Sequence, residues 1–346
     1  MPEIETILRE WALPEPVRTR PLAHGTNNEM FAVETPAGAF VLRVYANHAD
    51  VGRVRFEQAV LARLAADGGL PFALPVPLPT ASGAPFARIA SDDGEGGAPG
   101  ILATLAPLLP GAHPDRGDLE QARAGGEALG LLDVALARLP PIAVEGAVGW
   151  RSYGDLAHCH PLVPDPRPAI LELPVAEDAR ERLVRTYDAL LERILVLYAA
   201  LPRQLTHEDY SPDNLLMEGA RVTAVLDFEF CALDLRAMDL TVALSWWPGE
   251  RFGMGDEWPI LRAVAAGYGR HIALTSEEAQ AMPTLYLLRA YTSLVHRLGR
   301  HRQGLSPMGA VTDRAYAAIA REDWVETHGG RLVDVVLAGA DADAAR

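Results

Sequence analysis

The segment His207-Glu208-Asp209-Tyr210-Ser211-Pro212-Asp213-Asn214 sets a carboxylate and an amide five residues apart, behind a histidine, in the pattern His-x-Asp-x-x-x-x-Asn. Leu215-Leu216-Met217 follows, then a turn at Glu218–Ala220, a second apolar run at Val222–Leu226, and Asp227-Phe228-Glu229. Two apolar runs joined by a short turn predict a strand pair, which brings Asn214 and Asp227 together. Asp209, on the loop ahead of the pair, is placed to accept or orient the proton of an attacking hydroxyl. Asn214 and Asp227 offer oxygen donors of the kind magnesium prefers. This is the working layout of phosphoryl transfer, where catalysis is mostly positioning plus neutralisation of charge by metal. The first pattern alone can arise by chance; an Asp-Phe-Glu after a short hairpin makes the combination specific. The competing reading makes Asp209 and Asn214 turn residues and Asp227 a strand-end carboxylate.

A phosphoryl-transfer site needs cationic contacts, and here the choice is narrow. All 31 basic residues are arginine. Without lysine there is no Schiff base for pyridoxal-phosphate chemistry and no GxxxxGK[ST] phosphate loop. Upstream, His24-Gly25-Thr26-Asn27-Asn28 forms the turn between the first two strands, so Gly25, Thr26, Asn27 and Asn28 are candidates to cover nucleotide phosphates. Arg43, in Val41-Leu42-Arg43-Val44, is the natural phosphate contact, with a planar fork that lysine lacks. Glu57, the one acid in the middle of the next helix, is its expected ion-pair partner.

These groups need a scaffold. The 346 residues suffice for about two domains and a sizeable core. Phe31, Val33, Phe40, Leu42 and Val44 alternate as strands do, around a Pro36–Gly38 turn. Helices are expected at 3–12, 50–66, 118–139, 177–201, about 235–247, 256–274, 277–299 and 311–323, the last followed by a short tail. Further strand-like pieces lie near Phe86–Ala90 and Ile101–Leu105, separated by a flexible loop at Ser91–Gly97. Residues 140–176 are Pro-rich and irregular; long irregular segments are often functional, so this insert is a possible wall of an acceptor pocket. The plan is α+β: a small mixed N-terminal domain at 1–103, a linker at 104–112, and a larger, mainly helical part at 113–346.

The charge balance is 31 basic against 46 acidic residues, or −15, which disfavours nucleic acid and anionic membrane surfaces as partners. No apolar run is long enough to span a bilayer. Cys159 and Cys231 form neither a disulfide framework nor a CxxC site, and with no signal peptide at the start a cytoplasmic location is expected. His158-Cys159-His160 lacks a second ligand cluster, so zinc is not expected. Cys231 is read as a small buried residue. Trp246 and Trp247 either cap an acceptor pocket or fill core; large aromatics are mainly buried, which favours core, and Trp246 is carried as a possible acceptor contact.

The block His207–Asp227, with Asp234 and Asp239-Leu240 after it, resembles the aminoglycoside phosphotransferase and choline kinase superfamily, small-molecule kinases with a protein-kinase-like fold. The resemblance extends through the Gly25–Asn28 turn, Leu42-Arg43, Glu57, Pro110-Gly111 and the helical tail, so it covers nearly the whole chain. Pro212-Asp213-Asn214-Leu215-Leu216, and Asp239-Leu240 followed by Ser245-Trp246-Trp247, look most like the bacterial type II homoserine kinases. The resemblance implies a two-lobed fold, with an antiparallel sheet and a helix in the small lobe. It implies Asp209 as catalytic base, Asn214 and Asp227 as magnesium ligands, His207 as a buttress, and Asp239 as acceptor of backbone hydrogen bonds from the catalytic loop. It implies adenine binding by backbone groups around Thr104–Ala106, and ATP with magnesium as cosubstrate and metal. Homoserine is the first choice of acceptor, and an aminoglycoside or a choline-like amino alcohol the second. A catalytically silent nucleotide-binding protein is the reading from another class; retention of Asp209, Asn214 and Asp227 opposes it. One departure stands out: family members usually have glycine at position 208, and this chain has Glu208. Glu208, Asp213 and Glu229 form an acidic neighbourhood expected to suit an acceptor with an ammonium group.

Overall fold

The computed structural model describes residues 3–22, 28–45, 50–89, 100–142 and 145–341. Gly25, Thr26, Asn27 and the loop expected at 91–97 lie outside the described residues. The N-terminal part is a five-stranded antiparallel sheet in the order β1-β2-β3-β5-β4. Its strands are β1 (Arg18–Pro21), β2 (Glu29–Thr35), β3 (Gly38–Tyr45), β4 (Ala87–Ile89) and β5 (Ile101–Pro107). Strand alternation sorts the side chains onto two faces. Val33, Leu42, Val44, Ala103 and Leu105 pack with Ile7, Leu8 and Trp11 from in and just after the short helix α1 (Ile4–Leu8). Tyr45 and Leu102 turn to the opposite face and meet Val54 of α2 (Val51–Asp67). Arg43 shares the Tyr45 face, so the alternation itself aims it at α2. That helix is capped by Asp50, whose side chain accepts from the Gly52 N–H at 2.7 Å.

The expected linker at 104–112 is strand for its first part: Thr104 to Pro107 belong to β5, with Thr104 paired to Arg43 and Ala106 to Val41. Beyond it, α3 (Leu119–Arg138) begins the helical part. The insert at 140–176 carries a 3₁₀ turn at Tyr153–His158 and α4 (Pro166–Leu171). After α5 (Glu177–Ala200) come β6 (Arg203–Thr206), β7 (Leu215–Glu218), β8 (Arg221–Val225) and β9 (Ala232–Leu235). β7 pairs with β8, as the hairpin reading expects, and β6 pairs with β9. The sequence reading missed β9, because four residues running straight into a helix carry no period of their own.

The remaining helices are α6 (Arg236–Trp246), α7 (Trp258–Gly269), α8 (Ser276–Arg302) and α9 (Met308–Asp341). The helix expected at 311–323 with a tail is one continuous element, and Gly329-Gly330 does not stop it. At Gly329 an added Cβ would lie 3.3 Å from Pro283 of α8, so this glycine serves close packing. Among the described residues no helix is long and apolar enough to cross a membrane. Cys159 and Cys231 are buried free thiols.

α3 packs closely on α7 and on the end of α6. A Cβ at Gly126 would sit 2.1 Å from the Val264 carbonyl oxygen, and one at Gly125 would sit 1.9 Å from Trp247. Neither neighbour can yield without moving a helix. Gly126→Ala is expected to cost about 3 kcal/mol in urea unfolding. Gly330→Ala, at a helical position with nothing within 4 Å, is the control, expected to gain about 1 kcal/mol.

Candidate active site

The segment 207–214 is held by hydrogen bonds that leave its conformation little freedom. Asp239, in the first turn of α6, accepts the backbone N–H groups of His207 at 2.5 Å and Glu208 at 2.7 Å. The His207 Nε2–H donates to the Leu226 carbonyl at 2.9 Å, and its Nδ1 accepts from the Asp209 N–H at 3.3 Å. A ring nitrogen facing a carbonyl must carry the proton, so these two bonds fix one neutral tautomer. Burial lowers the pKa of His207, which keeps the ring neutral. Its ring also meets Phe228 edge-on at 4.7 Å.

The β7–β8 hairpin carries Asn214 to the mouth of the loop that ends in Asp227. The Leu226 N–H donates to the Asn214 carbonyl at 2.8 Å. The Asn214 amide nitrogen donates to the Asp209 carbonyl at 2.8 Å and to Asp209 Oδ2 at 3.0 Å. With the nitrogen committed to Asp209, the amide oxygen is the atom Asn214 can offer a cation. Among the described non-glycine residues, only Glu208 (φ 67°) and Asp227 (φ 61°) have left-handed backbones. Such strain persists where surroundings over-determine it, and both instances fall here.

Arg43 stands opposite. Its Nη1 donates to Glu57 at 2.9 Å, and its Nη2 donates to Asp227 Oδ1 at 2.9 Å and Glu229 at 2.6 Å. The Tyr45 hydroxyl donates to the second Glu57 oxygen at 2.9 Å, and Asn28 donates to Glu229 at 2.8 Å. Thus Arg43, Glu57 and Asn28 come together with Asp227. Four carboxylates, Asp209, Asp227, Glu57 and Glu229, crowd this region. Burial, then the charge of Asp227, pushes Asp209 up to about 8; burial pushes Glu57 up to about 7 against the pull of Arg43. Burial raises Asp227 as well. Oxygen donors with excess negative charge fit a hard divalent cation held by the Asn214 amide oxygen and the Asp227 carboxylate.

Thr104 is buried in the sheet beside Tyr45, and Ala106 is half-buried near the end of β5. β4 pairs with β5 only at 101–103, so the backbone from Thr104 onward has no β4 partner; the Leu105 carbonyl accepts from the Leu78 N–H.

A cavity opens on the other side of Asp209. The loop gives it Glu208 and Asp209, and the insert gives Trp150, Arg151, Tyr153 and Cys159. Phe230 and Trp246 add aromatic surface, while α8 adds Arg289, Thr292, Ser293 and His296. The insert is docked by bonds from the Trp150 N–H to the Cys231 carbonyl at 3.0 Å and from the Tyr153 N–H to Asp234 at 2.7 Å. Trp246 and its neighbour take different roles: Trp246 is half-buried on the cavity, while Trp247 is fully buried against Gly125. His158 pairs with Asp155 at 2.9 Å, and His160 packs edge-on against His296 at 5.7 Å.

Two of the acids expected around an acceptor ammonium face elsewhere. Asp213 is turned out by the 3₁₀ turn Pro212–Asn214 and binds Arg116 at 2.6 Å. Glu229 joins the Arg43 cluster. Glu208 does line the cavity, but as a buried group: Thr206 donates to its Oε1 at 3.0 Å, and it hydrogen-bonds Asp234. Asp234 also accepts from the Tyr198 hydroxyl and from the Tyr153 and Leu235 N–H groups. Burial first, and then the charge of Asp234 and its hydrogen bond, raise the Glu208 pKa well above the usual range. A group with a raised folded-state pKa stabilises fully below its unfolded value near 4.5 and loses that contribution as pH rises. Glu208→Gln is therefore expected to gain on the parent as pH rises from 5 to 8, reaching about 2–4 °C in Tm at pH 8 by differential scanning fluorimetry.

The sequence reading missed Arg289, Thr292, Ser293 and His296. The signal was present: positions i, i+3, i+4 and i+7 place four polar side chains on one face of a long helix.

Comparison with known proteins adds the decisive finding. A family model described as "Phosphotransferase enzyme family" matches residues 18–279, more than half of the chain. The chain belongs to this phosphotransferase family. The phosphotransferase is also 30% identical over 313 residues to a homoserine kinase of Caulobacter vibrioides, covering 89% of each chain. A homoserine kinase of Beijerinckia indica is 27% identical over 296 residues, covering 82% of this chain and 80% of its own. Among solved structures, a microcompartment-associated aminopropanol kinase aligns with a TM-score of 0.73 at 20% identity, covering 95% of the phosphotransferase and 98% of its own chain. An aminoglycoside 2′-phosphotransferase aligns with a TM-score of 0.63 at 14% identity, covering 95% and 98%. These neighbours share the two-part kinase-like fold. The phosphotransferase is a small-molecule kinase.

Proposed function

We propose that this kinase transfers the γ-phosphoryl group of ATP to the side-chain hydroxyl of homoserine. The observation that carries the reading is the position of Asp209, which touches both the Asn214–Asp227–Arg43 cluster and the cavity. A base at that junction can meet an acceptor hydroxyl on one side and a phosphoryl group on the other, as in-line transfer requires. Asp209 accepts the hydroxyl hydrogen and aims the oxygen. Asn214, through its donated hydrogen bonds, keeps the Asp209 carboxylate turned to the cavity mouth. Asn214 and Asp227 are the residues that would hold magnesium, which supplies charge neutralisation on the phosphates when bound. Arg43, oriented by Glu57 and by the Tyr45 ring 4.9 Å from its guanidinium, adds positive charge beside them. Gly25, Thr26, Asn27 and Asn28 cover the phosphates, and backbone groups around Thr104 and Ala106 take the adenine. His207 and Asp239 hold the loop in register. In this reading residues 1–103 form the nucleotide lobe, 104–112 the hinge and 113–346 the acceptor lobe, with the reaction in the cytoplasm.

Homoserine is preferred to an aminoglycoside for a reason of charge. Arg289 lines the cavity with no ion-pair partner among the described residues, whereas Arg151 is paired with Asp155 at 2.9 Å; an unpaired arginine in the wall repels a polycation. The test is ADP release with magnesium and ATP across L-homoserine, choline, an aminoglycoside and a simple sugar. Stimulation by L-homoserine above the others is expected; stimulation by the aminoglycoside alone would contradict the choice of acceptor.

A further inference from the structure

We infer that Arg289 is the anchor for a carboxylate on the acceptor, so that this kinase selects a hydroxy amino acid over an amino alcohol of the same chain. The inference deepens the phosphoryl-transfer reading above and rests on it.

Arg289 projects from α8 into the cavity that also contains Asp209. Its guanidinium lies 4.5 Å from the centre of the Trp246 ring, a stack that fixes the plane of the fork. Its Nε is buried with no hydrogen-bond partner, and no carboxylate among the described residues lies within ion-pair distance of it. Asp209 lies near enough to feel its charge, but Asp209 is the group the acceptor hydroxyl must meet. Glu208, the other acid on the cavity wall, is engaged by Thr206 and Asp234 instead of Arg289.

The surroundings of Arg289 add more positive charge. Arg321 of α9 lies over Phe252 at 3.3 Å, with its Nη1 buried and unpartnered. Burial first, and then the charges of Arg289 and Arg314, bring Arg321 down to about 9. Arg314 is held down by burial and by Arg297 and Arg289. In a chain of net charge −15, Arg289 on the cavity wall, with cationic neighbours behind it and no ion-pair partner among the described residues, is an anion site in search of its anion. The phosphates of the nucleotide belong with Arg43, on the far side of Asp209. An anion inside the acceptor cavity is most simply part of the acceptor itself, and a planar fork matches a carboxylate.

Arg289 also lies outside the region that defines the family. The matched segment ends at residue 279, in the first turn of α8. The shared machinery is thus separate in sequence from the wall that would choose the acceptor.

The test compares L-homoserine with 3-aminopropan-1-ol, which is homoserine without its carboxylate, in the unaltered full chain and in two variants. The unaltered chain is expected to favour L-homoserine in kcat/KM by about a hundredfold or more. Arg289→Gln is expected to lose most of that preference through a raised KM for L-homoserine, leaving 3-aminopropan-1-ol within about threefold of its starting value. Turnover of that second acceptor reports that the variant is folded. Arg289→Lys should recover part of the preference, since a point charge replaces the fork. Equal use of both acceptors by the unaltered chain overturns the inference, and needs no variant. So does an equal loss for both acceptors in Arg289→Gln with ATP binding intact, which would place Arg289 on the phosphoryl group. No turnover with either acceptor, while ATP binds, overturns the inference and the phosphoryl-transfer reading together.

Discussion

Replacing Asp227 with asparagine is expected to lower kcat by about 10⁴-fold or more while the protein stays folded. Asparagine tolerates the left-handed backbone that position 227 requires (φ 61°), so the loop after β8 keeps its path. Arg43 retains Glu57 at 2.9 Å and Glu229 at 2.6 Å, so no buried cation is stranded. What is lost is the carboxylate charge that, in the proposed mechanism, would hold magnesium with the Asn214 amide oxygen. Asp227→Ala removes the same charge but adds backbone strain, since alanine lacks the short polar side chain that eases a left-handed conformation. The pair separates chemistry from folding. Both variants should be inactive, and Asp227→Asn should have the higher Tm. Full activity in either would remove Asp227 from the metal site.

The second large effect is at Asp209. Asp209→Asn should reduce kcat by about 10³-fold, with the KM for ATP little changed. The local geometry supports this separation. Asn214 donates to the Asp209 side chain at 3.0 Å and to its backbone carbonyl at 2.8 Å; an asparagine oxygen can accept the first bond and the second is untouched. The Asn214 contacts are therefore left intact, and only the carboxylate proposed to receive the hydroxyl proton is removed. A variant with normal kcat would exclude Asp209 as the base. A variant that lost ATP binding instead would show that Asp209 acts on the nucleotide side.

The legible parts of this site are those whose partners are close in sequence. Asp209, Asn214 and Asp227 lie within one loop and one hairpin, so spacing alone brings them together. Arg43 and Glu57 sit on a strand and the helix after it, and the alternation of β3 decides which face Arg43 takes. The hidden parts depend on packing between distant segments. Arg289 comes from a helix 80 positions beyond Asp209, and its meeting with Trp150 and Tyr153 requires the insert to dock on Cys231 and Asp234. The acids were misjudged for a related reason: neighbours in sequence diverge in space. A 3₁₀ turn throws Asp213 outward while Asn214 faces in. Glu208 was legible as an anomaly, because members of the resembled family usually have glycine there, and its φ of 67° is a conformation that glycine adopts most readily. Its partner Asp234, whose charge adds to burial in raising the Glu208 pKa, lies on the strand β9 that the sequence reading missed. The long helix α9 was cut short for the opposite reason, since its glycines permit close packing against Pro283 and Ala265 while reading as a stop.

The central claim is that Asp209 delivers an acceptor hydroxyl to a phosphoryl group held beside Asn214, Asp227 and Arg43. The most direct measurement is a phosphorus NMR time course with ATP, magnesium and L-homoserine, run on the unaltered chain and on Asp209→Asn. The account predicts a new phosphate monoester resonance that grows in step with ADP in the unaltered chain and is absent over the same period in the variant. Formation of ADP with inorganic phosphate alone, or equal growth of the monoester in the variant, would contradict it.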